Sequence, residues 1–168
     1  GEWPADAVLI AGDLFEQERF SRDTVAFLQE QLRALGSIPV YIAPGNRDPY
    51  VVTSPYASEM WPDNVHIFRK PQWQSFAHPR MPLTVHGFAF DGTELSSNPF
   101  GTIRVPEDGR VHVALAHGTE RGHQPPEKAV SAPFDADAMN VPGLHYLALG
   151  HFHGYTRIES EGTCMAYS

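Results

Sequence analysis

The chain has 168 residues, 42% of them hydrophobic and 19% charged, a balance that suits one packed domain and excludes a disordered tail. A net charge of −8 gives no electrostatic footprint for nucleic acid over the surface as a whole, although it leaves room for a local basic patch. No apolar run approaches the ~18–20 residues needed to cross a bilayer, so no membrane partner is expected, and the lone Cys164 excludes an internal disulfide and suits a reducing, cytoplasmic setting.

In chain order, residues 7–11 read as a buried strand followed by a loop over 12–16. From Ser21 to Leu35 the apolar positions Val25, Leu28, Leu32 and Leu35 recur at helical spacing, with Ser21 or Asp23 as cap and Gly36 as terminator. A second strand over 38–43 completes a strand–helix–strand unit, and Pro44 to Pro49 is turn-rich. A short helix is expected within 50–61, a strand over 65–68, a hairpin or loop from Pro71 to Pro82, and a strand from Leu83 to Phe90. Residues 93–99 suit a helical turn, 111–116 a strand, 121–133 a long polar loop and 134–139 a short helix. Strands over 144–149, 155–159 and 163–167 close the chain. The start at Gly1, with a strand almost at once, and the uncapped run into Ser168 predict a single domain over 1–168, incomplete at both ends.

Four of these strands stop at a small residue and then present a group that binds metal. Val8-Leu9-Ile10-Ala11 leads to Asp13, Val40-Tyr41-Ile42-Ala43 to Asn46, Val113-Ala114-Leu115-Ala116 to His117, and Tyr146-Leu147-Ala148-Leu149 to His151 and His153. In open α/β sheets ligands bind beyond the carboxyl ends of the strands, so these side chains are predicted to meet at one spot. Residues two apart on extended backbone point the same way, which lets His151 and His153 both face it. Oxygen and imidazole donors without thiolate suit divalent Mn, Fe or Zn. Two such ions held ~3.5–4 Å apart clamp a phosphate and lower the pKa of a bound water towards ~7. Asp13 is the candidate bridge. Asn46 adds an oxygen without adding charge.

The stretches Gly12-Asp13-Leu14-Phe15-Glu16, Gly45-Asn46-Arg47-Asp48, His117-Gly118 and Gly150-His151-Phe152-His153 resemble the motifs of the calcineurin-like metallophosphoesterases, in order and each after a strand. Within that superfamily they are most similar to the SbcD-type DNA repair exonucleases. The resemblance implies an α/β sandwich of two mixed β-sheets flanked by helices, with the N-terminal strand missing. It also implies a phosphoester hydrolase using two divalent ions, Mn first and Fe, Zn or Mg as alternatives. Asn46, His117 and His151 would complete one ion and His153 would serve the other, with Asp13 between them. DNA, an SbcC-like ATPase and a second copy of the chain are the implied partners.

Two departures from the family pattern stand out. No Asp-x-His motif precedes Gly12, so the second metal position is expected to be incomplete. Arg47 occupies the place of the usual histidine, which in the family acts near the leaving group and is oriented by the next Asp, here Asp48. Arginine does not release a proton near neutrality, but it binds phosphate in a bidentate fork. Losing general acid catalysis would cost roughly 10²–10⁴-fold, which leaves open a catalytically weakened binding module; the net charge of −8 favours a further alternative, a small-molecule phosphatase or phosphodiesterase. Arg47 and Asp48 are the catalytic candidates, Arg47 and His123 the substrate contacts. Bland readings stand beside these: Asn46 suits an ordinary turn, Arg47 a surface ion pair with Asp48, and Glu16 an ordering role in its loop. His86 and His112 lie inside strand patterns and are expected to hydrogen-bond locally.

Overall fold

The structure, a computed structural model, describes residues 5–95, 98, 100–124, 126–127, 129–160 and 162–168. The chain runs β1 (Val8–Ile10), α1 (Arg22–Ala34), β2 (Val40–Ile42), α2 (Pro55–Ser58), β3 (Val65–Ile67), β4 (Gln74–Ala77), β5 (Leu83–Gly87), β6 (Val111–His117), β7 (Leu144–Gly150), β8 (Thr156–Ser160) and β9 (Thr163–Tyr167). Short 3-10 turns lie at Phe100–Thr102, Arg121–His123 and Ala136–Met139.

Two sheets result, of three strands in the order β1-β2-β3 and six in the order β4-β5-β6-β7-β9-β8. The smaller sheet is parallel throughout rather than mixed. The larger is mixed: a parallel core of β5, β6, β7 and β9 carries an antiparallel strand at each edge. Strand parity explains the layering. On β2, Val40 and Ile42 pack outward with Leu32 of α1, while Tyr41 turns inward. Tyr41, Ala43 and Phe68 meet Val85, Ala89 and Leu115, so the sheets are stacked face to face. The outer face of the larger sheet is sealed by Phe134, Met139, Leu147, Leu149, Met165 and Tyr167.

Helix α1 starts as its sequence indicates. The Ser21 hydroxyl accepts from the Thr24 N–H, and Val25 and Leu32 are buried. Several expectations are refined. The buried strand over 7–11 is only half-buried, because β1 is an edge strand of its sheet. Between Pro71 and Pro82 the hairpin alternative holds: β4 pairs antiparallel with β5. The helix within 50–61 is one turn long, and that within 134–139 is a 3-10 turn. The strand to Phe90 leaves its ladder after Gly87, since Ala89 and Phe90 donate their N–H groups to Lys70 and Pro44 instead. The polar loop from Arg121 opens with a 3-10 turn. Of the turn expected over 93–99, residues 96, 97 and 99 lie outside the described residues. Among the described residues, no helix is long and apolar enough to cross a membrane.

Candidate metal centre

The carboxyl ends of β1 and β2 face those of β6 and β7 across the seam between the sheets. The Ala43 N–H donates to Ile10, and that of Gly118 to Gly150, so the strand ends stay paired as they leave the ladders. Glycine makes the cross-sheet approach possible. A Cβ on Gly150 would stand 1.8 Å from the Ala11 carbonyl oxygen, and one on Gly45 would stand 2.7 Å from His117 Nδ1. His117, the last residue of β6, keeps the inward parity of Leu115, so its ring reaches the opposite sheet.

The hydrogen bonds of the two imidazoles fix where their lone pairs point. His117 Nδ1 lies 2.8 Å from the Ala11 carbonyl, which only accepts, so Nδ1 carries the proton and Nε2 the lone pair. Nε2 faces Asn46 Oδ1 at 2.8 Å, His151 Nδ1 at 3.2 Å and Asp13 Oδ2 at 3.5 Å. His151 repeats the arrangement. Its Nε2 donates to the Ala129 carbonyl at 2.8 Å, which leaves Nδ1 unprotonated toward the cluster. Burial lowers the His117 pKa, with the Asp13 charge opposing in part, so the ring is neutral at neutral pH. Lone pairs of two imidazoles, an amide oxygen and a carboxylate thus converge without a proton to share. That donor set calls for a cation. Ligand atoms of Asp13, His117 and His151 lie within 4.8 Å of one another, and no other such group of three is found among the described residues. The residues therefore fit a divalent ion of the Mn, Fe or Zn type. Two of the three ligands sit on backbone that side chains rarely adopt, Asp13 at φ 56° and His151 at φ 109°.

Asn46 joins this cluster through its amide oxygen. His153 does not: it is exposed and lines, with Asp13 and His151, a cavity of about 270 Å³ on the β1 side. A second cavity, of about 410 Å³, opens on the other side and is lined by Asn46, His151, Thr93, Glu94, Leu95 and residues 129–131.

The ion pair expected between Arg47 and Asp48 is absent. Arg47 is half exposed and binds Glu16 through Nη1, with Nε 3.8 Å from Asp13 Oδ2. Glu16 thus orders its loop. Asp48 is fully buried and accepts from the N–H groups of Gly45 (2.7 Å), Asp13 (2.8 Å) and Leu14 (2.9 Å) and from the Tyr56 hydroxyl (2.6 Å). Burial raises its pKa to about 6, against the pull of those four hydrogen bonds. Asp48 therefore clamps the Asp13 loop to the Asn46 loop, since the position that would orient a catalytic histidine is enclosed by donors. His123 donates from Nδ1 to the buried Glu120 carboxylate at 2.6 Å and lines neither cavity beside the cluster.

Sequence reasoning missed Tyr56, Tyr167 and Ala129. The Tyr167 hydroxyl donates to Gly118 and accepts from the Glu120 N–H, both at 2.8 Å, which pins the loop after His117. The Ala129 contact is a backbone carbonyl and leaves no trace in the sequence. Neither tyrosine lies near a motif, so no signal could have found them.

Comparison with known proteins agrees with this geometry. The family described as calcineurin-like phosphoesterase matches residues 2–155. A Bacillus subtilis (strain 168) protein, "Uncharacterized metallophosphoesterase YhaO", is 32% identical over 170 residues, an alignment that covers 96% of this chain and 40% of that protein.

Proposed function

This chain belongs to the calcineurin-like phosphoesterase family, and from that premise we propose that it hydrolyses phosphodiesters at a divalent metal held by Asp13, Asn46, His117 and His151. The observation that carries the reading is the set of proton-free lone pairs around His117 Nε2. A bound divalent ion supplies Lewis-acid polarisation of the phosphoryl group and a water of lowered pKa. The chain's own residues do the rest. Ala11 and Ala129 hold both imidazoles in the tautomers that present lone pairs. Arg47, at the rim and tethered to Glu16, keeps donors free for a phosphate oxygen, as a charge stabiliser and not a proton donor. Asp13 and His153 share the first cavity, which is where a second ion would sit.

The finer reading is exonuclease action on DNA, in the manner of SbcD-type enzymes, with an SbcC-like ATPase and a second copy as partners in the cytoplasm. It rests on the resemblance of the four motifs. The net charge of −8 favours a second reading, a phosphodiesterase of small molecules. Both are tested by incubating the whole protein with Mn and, in parallel, single-stranded DNA and a panel of nucleotides and aryl phosphodiesters, with Asp13→Asn as control. Cleavage of DNA that Asp13→Asn abolishes supports the first, and cleavage confined to small diesters supports the second. Absence of any Asp13-dependent cleavage overturns both. Arg47→His separates a weakened enzyme, which gains turnover, from a binding module, which does not.

A further inference from the structure

Arg47 stands between two carboxylates that do different work. Its Nε lies 3.8 Å from Asp13 Oδ2, the oxygen that also faces His117 Nε2 at 3.5 Å, while its Nη1 binds Glu16. A guanidinium and a divalent ion would thus draw on the same oxygen. If Arg47 closed fully onto Asp13, the pair would be neutral, and an ion would be left with two imidazoles and an amide. Glu16 changes that balance. It is a second anion outside the cluster, it takes the guanidinium at Nη1, and the Asp13 contact stays beyond hydrogen-bond length.

The backbone around this pair is fixed, so only the side chains are free to move. The Arg47 N–H donates to Asp13 Oδ1 at 3.1 Å, and the Arg47 carbonyl accepts from the Gln17 N–H at 2.8 Å. Phe15, one residue before Glu16, is buried against Phe20 and Tyr56. The side chains of Arg47 and Glu16 are themselves 55% and 50% exposed. Ion pairs that open to water are weak and readily exchanged, whereas a phosphate offers the guanidinium a bidentate, charge-assisted partner.

We propose that Glu16 is a positioning residue for Arg47: it holds the guanidinium off Asp13 so that an ion can bind, and yields it to the oxyanion of a bound phosphate. The proposal rests on the hydrolase reading above and adds to it a handover that links ion and phosphate affinity through one side chain. Two consequences of opposite sign follow. Without Glu16, Arg47 falls onto Asp13 and weakens the ion. The same release leaves it available to phosphate and tightens the anion. Charges about 4 Å apart in watery surroundings change an affinity roughly fivefold per unit charge. Losing the Glu16 charge by itself would also weaken an ion, so the deciding quantity is whether Glu16 acts only when Arg47 is present.

The test measures binding to the whole protein, apart from turnover. Mn is followed by equilibrium dialysis, and orthophosphate on the Mn-saturated protein by calorimetry. Arg47→Ala should raise Mn affinity about fivefold, and Glu16→Gln should lower it by a similar factor. With Arg47→Ala already in place, Glu16→Gln should change Mn affinity by at most about twofold. Orthophosphate should bind several-fold tighter to Glu16→Gln, a gain that adding Arg47→Ala erases. Equal effects of Glu16→Gln with and without Arg47, or Mn affinity unmoved by Arg47→Ala, overturn the handover and leave the hydrolase reading intact. A parent protein that retains no Mn overturns the metal centre, and the handover with it.

Discussion

Replacing Asp48 with Asn asks whether this carboxylate serves the chemistry or the fold. Each carboxylate oxygen accepts two hydrogen bonds, Oδ1 from Asp13 and Gly45 and Oδ2 from Leu14 and Tyr56. An amide turns one oxygen into a donor. The cheaper orientation places it on the Oδ2 side, where the Tyr56 hydroxyl can turn and accept, and strands the Leu14 N–H. One stranded buried donor costs about 1–3 kcal/mol, and weaker bonds to a neutral acceptor bring the total to roughly 2–3 kcal/mol. For a chain of this size each kcal/mol shifts Tm by about 2–4 °C, so Asp48→Asn should lower Tm by about 4–12 °C. Thermal unfolding followed by circular dichroism, in EDTA and in Mn, measures it. The metal-induced rise in Tm should shrink as well, since the clamp joins the loops bearing Asp13 and Asn46. A Tm within 1 °C of the parent, together with a large loss of turnover, would refute the clamp and return Asp48 to the reacting atoms.

Three further outcomes follow from the geometry. Gly150→Ala places a Cβ 1.8 Å from the backbone oxygen that holds His117, so it should cost about 3 kcal/mol or more, and a near-parental melting curve would contradict the close approach of the sheets. Asp13→Asn keeps an acceptor for the Arg47 N–H but removes the charge, so Mn retained after equilibrium dialysis, read by elemental analysis, should fall more than the ~10–100-fold typical of losing an outer partner. Burial, and then the neighbouring His112, lower the His86 pKa from 6.5 to about 4, so His86 stabilises the fold above pH 6.5 and that stability drains away as pH falls toward 4. The full shift is worth about 3 kcal/mol, about 2 after discounting for solvent near the pair, so the stability lost between pH 7 and pH 4.5, read from urea unfolding, should be smaller in His86→Gln than in the parent by about that amount.

The parts of the molecule legible in its sequence are those where local pattern and global position coincide. The apolar runs before Asp13, Asn46, His117 and His151 are strands because nothing polar interrupts them, and their ends converge because parallel strands share a carboxyl edge. The helix from Ser21 was readable from a cap and a stripe. Less was visible where the partner is distant or carries no side chain. Nothing around Asp48 announces that Tyr56 and three N–H groups enclose it, and adjacency to Arg47 suggested the wrong ion pair. His153 shares a motif and the first cavity with His151 but not its place in the cluster, and the backbone turns sharply at His151. His86 and His112 do bond locally, in a chain from Ser75 through both rings to Asp108 that period-two patterning alone does not order.

The backbone at His151, turned to φ 109°, has a consequence for how such a protein would age. Glycine would be more comfortable there by about 1–3 kcal/mol, so folding and chemistry pull this position in opposite directions. His117 is under no such tension, since its ring fills space between the sheets and anchors Ala11. In a lineage released from the need for an ion, drift should reach residue 151 first and leave 117 standing. The identity of that one residue in descendants would then record whether the reaction is still in use.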